Sequence, residues 1–486
     1  MAVENMSRSV YEAMCDEIGT PQLVKYLRDR REILELVWNK VVKIEQLKIM
    51  MSGSVREGFR YKHCASDVDQ MIWQTNQRVI WDLFQSQFYD TYENGLILCD
   101  NSESRPGYTL LRLPVESASP EALSVCIRMK RGLYISSSKY REIMLSSYSF
   151  GSTIHGPCCS GTILNVKFDN AICFASDFWP PSAFSWIDRC NSWPPSDVVN
   201  DIVENGCHFV AIGNKQGEFT DNEWRISFSQ AEYKLVYSMN HLQFLTYGLL
   251  KIVLKEIINK GLKEEEKLLC SYHIKTVIFW AIQENTLQNA LHWCPQNLLA
   301  NFWLCFKLLL KWVYDGACPN FFIPQNNMFL NNIHGEAQQS LFAQLYGLYE
   351  KGISLLLQSP SIRPYMVDVL CNPRLMVFTD EDILISEAEL DEEYFSIVIQ
   401  FFDELSSSDI RQCMNALNKD QLTGSSMSHY QVVMVQKCLV SFLQYVAFVL
   451  HNAYSIQRAN KKMYTAYKMF CHILKLADKM GYVYLP

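Results

Sequence analysis

The chain has 486 residues, 49% hydrophobic and 20% charged, with a formal net charge of -7 at neutral pH. That size holds roughly two or three packed domains, and the acidic balance excludes a protein that coats nucleic acid indiscriminately. No run approaches the ~18 apolar residues a membrane-spanning helix needs, and the 17 cysteines show no disulfide framework, so reduced thiols and a cytoplasmic location are expected, with no membrane partner.

The amino terminus, MAVENMSRSVYEAMCDEIG, carries acids and lacks an apolar h-region, so secretion is not expected. Residues 22–50, QLVKYLRDRREILELVWNKVVKIEQLKIM, set Lys25, Arg28, Arg30, Arg31, Lys40, Lys43 and Lys48 beside apolar residues at helical spacing. This predicts a long leading amphipathic helix. Its basic face is either simply solvated or a local surface for nucleic acid.

The next stretch, GSVREGFRYKHCASDVDQM, begins with Gly53 and Ser54 and brings in Asp67 and Asp69. On a strand these two carboxylates point the same way, roughly 6 to 7 Å apart, which is unfavourable unless a cation sits between them. Magnesium or manganese, which takes oxygen ligands and shares them with substrate phosphates, suits that position. Residues 53 to about 215 then alternate short apolar runs (GLILC, YTLLRL, LSVCIRM, CHFVAIG) with Gly, Pro, Ser and Asn, the pattern of strands and turns. In ILNVKFDNAICF, Leu164, Val166 and Phe168 alternate with Asn165, Lys167 and Asp169. Asp169 is therefore expected on the polar side of a half-buried strand, as the third acid of a two-ion phosphoryl-transfer site.

From Glu223 the texture becomes helical, as in AEYKLVYSMNHLQFLTYGLLKIVLKEII. The expected division is 1–215, a mixed α/β core with an N-terminal spine helix; 216–358, a helical lobe; and 359–486, a helical C-terminal extension. SPSIRP (359–364) reads as a linker and DEDILISEAELDEE (380–393) as a solvated surface segment. The apolar stripes of FSIVIQFFDEL and VQKCLVSFLQYVAFVLHNAY suit packing on the helical lobe or self-association. There is no internal repeat.

Gly-Ser, then Asp-x-Asp, then a lone Asp on a later strand resembles the polymerase-beta type of nucleotidyltransferase. EWRISFSQAEYKLV, LLKIVLKEI, CSYHIKTVIFW, CPNFFIPQNNMF and WPPSAFSWIDRCNSWPP narrow the likeness to the cyclic GMP-AMP synthase and male-abnormal (Mab) family, close to the cyclic GMP-AMP synthase-like receptors, from about residue 20 to 358. The resemblance implies an α+β, bilobed nucleotidyltransferase fold, with a mixed sheet core, an all-helical lobe and a helical C-terminal extension. It implies two Mg2+ or Mn2+ ions on Asp67, Asp69 and Asp169. It assigns ATP to Ser54, Asp67, Asp69, Ser229, Glu232, Lys251, Ser271, Tyr272 and Lys275, and GTP to Asp169, Arg225, Ser227 and Glu232. Ser271 and Lys275 share a helical face, and Tyr272 matches an aromatic that stacks a base. Arg225 also suits an ion pair with Glu223 or Asp221.

The activity implied is synthesis of a cyclic dinucleotide second messenger from ATP and GTP in innate immune signalling. The trigger implied is a ligand such as double-stranded RNA, lying on the basic leading helix. The alternative is a catalytically silent Mab-type binding or developmental scaffold, and an RNA-terminal nucleotidyltransferase shares the acid triad. Vertebrate members carry a zinc insert between the equivalents of Lys251 and Ser271. Here that interval, KIVLKEIINKGLKEEEKLLC, has Cys270 as its only cysteine and no histidine, so no zinc is expected. His155, Cys158 and Cys159 form the nearest metal-like cluster and lack a fourth ligand.

Overall fold

The computed structural model describes residues 2–41, 46–60, 67–114, 123–147, 152–163, 166–288 and 292–371. Lys43, Leu164, Asn165, the acidic stretch 380–393 and the apolar segments beyond it lie outside the described residues, as does most of the expected extension. Two compact units divide the chain, Met1–Val24 with Met50–Thr379 and Lys25–Ile49 with Asp380–Pro486.

The strands are β1 Leu47–Ser52, β2 Val68–Gln74, β3 Gln77–Ile80, β4 Gly95–Asp100, β5 Tyr108–Leu113, β6 Cys126–Met129, β7 Gly132–Ile135, β8 Thr153–His155, β9 Cys158–Ile163, β10 Val166–Ser176, β11 Cys207–Val210 and β12 Glu223–Ser227. The helices are α1 Ala2–Ile18, α2 Pro21–Val41, α3 Gly53–Arg56, α4 Ser137–Ser147, α5 Phe184–Arg189, α6 Ser196–Glu204, α7 Ser229–Tyr237, α8 His241–Val253, α9 Ser271–Gln288, α10 Leu298–Asp315, α11 Gly335–Glu350 and α12 Arg363–Cys371. Mixed helix and sheet content agrees with the α+β expectation.

The predicted leading helix proves shorter. It is α2, and Leu47–Ser52 is a strand, because a short apolar run such as LKIMM has no period that separates strand from buried helix. Asn39 closes the reversal: its amide donates to the Ile49 carbonyl at 2.7 Å and accepts from the Ile49 N–H at 2.8 Å. On the basic face Lys25 pairs with Asp29 at 2.7 Å, and Arg30 is buried rather than solvated.

The main sheet runs β1-β2-β10-β11-β12-β5-β4-β3, with β9 and β8 branching from β10, and β7 and β6 from β5. β2 and β10 are parallel, whereas β11, β12 and β5 follow antiparallel. The helical texture expected from Glu223 begins instead at Ser229: Trp224 and Ile226 are buried on a strand inside the sheet. Met50, Met71, Trp73, Ala171, Cys173, Ala175 and Val210 form one apolar cluster on this sheet, with Tyr233 of α7 packed against it.

The WPPSAFSWIDRC stretch forms an aromatic brace. Trp179 lies 5.2 Å from Trp186 and 5.2 Å from Phe228, and Phe228 stacks on Phe322 at 4.3 Å. This ties the end of β12 to the loop before α11 through large, stiff side chains.

α8 is buried along most of its length, and Asn240 caps it in a reciprocal box with Gln243. Gly248 on α8 lets α1 come close, since a Cβ there would stand 2.1 Å from Ile18 Cδ1 and 3.2 Å from the Phe59 ring. The SPSIRP segment is docked rather than a free linker. Ser359 and Ile362 are fully buried, and the Ser359 and Ser361 hydroxyls donate to Glu256.

Candidate active site

β2 and β10 set the acids. Their register puts Asp169 directly opposite Asp69, flanked by the pairs Phe168 with Val68 and Asn170 with Gln70. Neighbouring strands lie ~4.8 Å apart, so the two carboxylates leave adjacent backbones on one face. That face is not the polar one the alternation suggested. Asp69 shares its side of β2 with buried Met71 and Trp73, and Asp169 shares its side of β10 with buried Ala171 and Cys173. The acids stand where the core-facing side ends and a cavity begins. Asp67 just precedes β2 and is exposed. Burial, then Asp169, then Asp67 push the Asp69 carboxyl up to about 7, opposed by Lys275.

Gly53 makes the turn against these acids. Its φ is +68°, and a Cβ there would stand 1.7 Å from Asp69 Oδ2, so only glycine lets the backbone pass. The next residue, Ser54, accepts from Lys251 Nζ at 2.5 Å. Lys251 is buried on α8, its ammonium 4.2 Å from the Phe59 ring centroid and 5.2 Å from that of Tyr247. Burial draws its pKa down to about 8, while Glu57 resists.

Glu57 was missed in the sequence. It follows α3 and accepts from Lys275 Nζ at 2.7 Å and from Tyr247 Oη at 3.3 Å. Lys275 on α9 also meets Glu232 of α7 at 2.9 Å. Burial works against that ammonium, but Glu232 and Glu57 outweigh it and hold its pKa well above the ordinary lysine value.

A cavity of about 560 Å3 gathers these parts. Gly53, Asp69 and Asp169 line it, with Arg225 and Ser227 of β12. Ser229, Glu232, Tyr272 and Lys275 line it as well. Ser227 and Ser229 are hydrogen-bonded through their hydroxyls at 3.0 Å. The Tyr272 hydroxyl accepts from Asn320 Nδ2 at 3.1 Å, which fixes the ring, and burial raises its pKa. Ser54 and Lys251 bond to each other beside the Gly53 turn but do not line the cavity, and neither does Ser271, which is exposed at the start of α9. In the β8–β9 hairpin His155 is exposed, Cys159 is buried and Cys158 lines the cavity.

Among the described residues no three acid, His or Cys side chains already converge as a ready-made metal cage. The donor set still fits a hard divalent ion. Asp69 and Asp169 are aligned oxygen donors, burial and then the charge of Asp169 raising the Asp69 pKa, and magnesium commonly takes one or two carboxylates and completes its shell with phosphate and water.

Residues 90–238 match the Mab-21 protein nucleotidyltransferase domain, and residues 247–346 match the Mab-21 protein HhH/H2TH-like domain. Asp169 and Glu232 fall in the first match; Lys251, Tyr272 and Lys275 fall in the second. A cyclic GMP-AMP synthase of Sus scrofa is 27% identical over 171 residues, which cover 32% of this chain and 34% of that protein. A cyclic GMP-AMP synthase-like receptor of Ctenocephalides felis is 28% identical over 116 residues, 24% of this chain and 25% of that one. The chain's match thus spans 34% and 25% of these relatives' own lengths.

Proposed function

The chain belongs to the Mab-21 family of nucleotidyltransferases, and from that premise we propose that it joins ATP and GTP into a cyclic dinucleotide, using Mg2+ or Mn2+, after binding an activating ligand. The observation that carries this reading is the in-register pair Asp69 and Asp169 beside the Gly53 turn, at the edge of a cavity that nucleotide-compatible side chains line.

Asp69 and Asp169, with Asp67 at the rim, are the residues that would hold the ions. Bound there, divalent ions supply charge neutralisation on the triphosphate and lower the pKa of the attacking hydroxyl. The chain's own groups do the rest. The Asp169 carboxylate accepts the proton of the attacking ribose hydroxyl. Gly53 brings backbone close to the triphosphate, and Lys251 braces that turn through Ser54. Lys275 offers its ammonium to phosphate. Arg225, Ser227, Ser229 and Glu232 meet the purine nucleosides, and Tyr272 stacks a base. A cytoplasmic site of action suits the cysteine usage. Among the described residues no helix is long and apolar enough to cross a membrane.

The test is mass spectrometry of the products after incubation with ATP, GTP and Mn2+, with and without duplex RNA or other ligands. A cyclic dinucleotide from the parent and none from Asp69→Asn supports the proposal. No product under any ligand, together with calorimetry showing no metal-dependent nucleotide binding, would return the chain to the silent-scaffold alternative.

A further inference from the structure

The cavity wall holds one carboxylate that the scheme above leaves without work. Glu57 is 1% exposed. Its amide donates to the Gly53 carbonyl at 3.1 Å, so it is bound to the same turn that approaches Asp69. Its side chain reaches the other way, to Lys275 at 2.7 Å on α9 and to Tyr247 at 3.3 Å on α8. Glu232 of α7 grips the same ammonium at 2.9 Å. The end of α3 and the helices α7, α8 and α9 therefore meet through one lysine, two glutamates and one tyrosine.

A buried charge cluster of this kind is a weak source of net stability, because desolvating the ions offsets their attraction. What it supplies is geometry. A lysine ammonium sits on a flexible four-carbon stem and has three N–H donors. Glu57 and Glu232 use two of those donors and fix the stem, which leaves one N–H for an incoming oxygen. Lys275 and Glu57 both line the cavity with Asp69, so that donor stands at the acid edge.

We propose that Glu57 is a positioning residue of the nucleotide site, holding the Lys275 ammonium at the cavity wall beside Asp69 in the orientation that receives a triphosphate oxygen. The inference deepens the nucleotidyltransferase reading and rests on it. Without Glu57 the ammonium is held from α7 alone and falls towards Glu232. Glu232 is then neutralised on the face it offers to nucleotide, and Lys275 no longer points at phosphate.

A double-mutant cycle tests this by calorimetric binding of ATP with Mn2+, which needs no turnover, and by KM and kcat where product forms. Glu57→Gln is expected to weaken ATP binding on the order of tenfold, mostly through KM, since misplacing a binding group loses orientation before chemistry. Glu57→Asp keeps the charge but draws it back, and should fall between. Lys275→Gln should weaken binding at least as much, and the double variant no further than Lys275→Gln alone. Additive losses, or Glu57→Gln binding as the parent does, would overturn the inference. A parent that binds no nucleotide overturns the functional reading instead.

Should the variants fail to fold, amine acetylation of the parent decides. Lys275 is expected to resist the reagent while exposed lysines such as Lys25 react, and rapid labelling of Lys275 in the folded parent contradicts the grip.

Discussion

Asp69 stands opposite Asp169 across two parallel strands, on the side of the sheet that turns inward. Strand register, not side-chain flexibility, sets the spacing of the two carboxylates. Replacing either by Asn removes the anion while keeping the shape. Ion-supported stabilisation of a phosphoryl-transfer transition state amounts to several kcal/mol, so the rate should fall on the order of a thousandfold for Asp69→Asn or Asp169→Asn. Product quantified by chromatography checks it, and a loss below tenfold in both would remove these residues from the chemistry.

Gly53 is the most demanding position. Alanine there would bring a methyl group 1.7 Å from Asp69 Oδ2 at a φ of +68°. Backbone strain of this sort costs about 1–3 kcal/mol, and relief by moving Asp69 would misplace the acid. Gly53→Ala should lower both the melting temperature and the rate, as calorimetry and product assays would show. Retention of both would mean that the turn gives way freely.

Asp69 gives the metal-free protein a definite pH response. Burial and the neighbouring acids raise its carboxyl from the ordinary 3.8 to about 7 in the folded state. The folded form therefore binds the proton more tightly than the unfolded one. The resulting stability is complete below pH ~4 and is lost as pH climbs towards 7. Divalent ions should compensate, so Mn2+ ought to raise the melting temperature more at pH 8 than at pH 5.5. Asp69→Asn should flatten both trends. Equal Mn2+ shifts at the two pH values would count against an ion at these acids.

Lys251 works in the opposite sense. Burial depresses its pKa from 10.5 to about 8, so the folded state holds its proton less tightly. Its contribution is full above pH ~10.5 and is lost as pH falls through 8. Lys251→Met keeps a stem against Phe59 and Tyr247 but no charge. Urea midpoints should rise between pH 7 and 9.5 in the parent more than in Lys251→Met. Matching slopes would show that the ammonium is well solvated.

Much of this site was legible because it is local. Gly53, Ser54, Asp67 and Asp69 fall within one short stretch whose residue types suggest turn, acid and ion. The side of the strand on which Asp169 projects was misread, because β10 has apolar residues on both sides: Phe174 on one, Ala171, Cys173 and Ala175 on the other. Period-two alternation decides a face only when one side is wet. Glu57 was invisible for a different reason. Its partner Lys275 lies far along the chain, and nothing near residue 57 signals a buried carboxylate. The strands at Leu47–Ser52 and Glu223–Ser227 are short runs absorbed into neighbouring helical patterns, where periodicity alone does not discriminate.

The close approach at Gly248 reaches further than helix packing. Ile18 and Phe59 crowd that glycine together, and the Phe59 ring also lies against the Lys251 ammonium. Proteolytic clipping between Gly19 and Thr20, with release of the severed helix, would let water into that crevice. Hydrated, the amine should regain ordinary basicity, so a nick at the far amino-terminal end would be felt as a change in proton affinity beside Ser54.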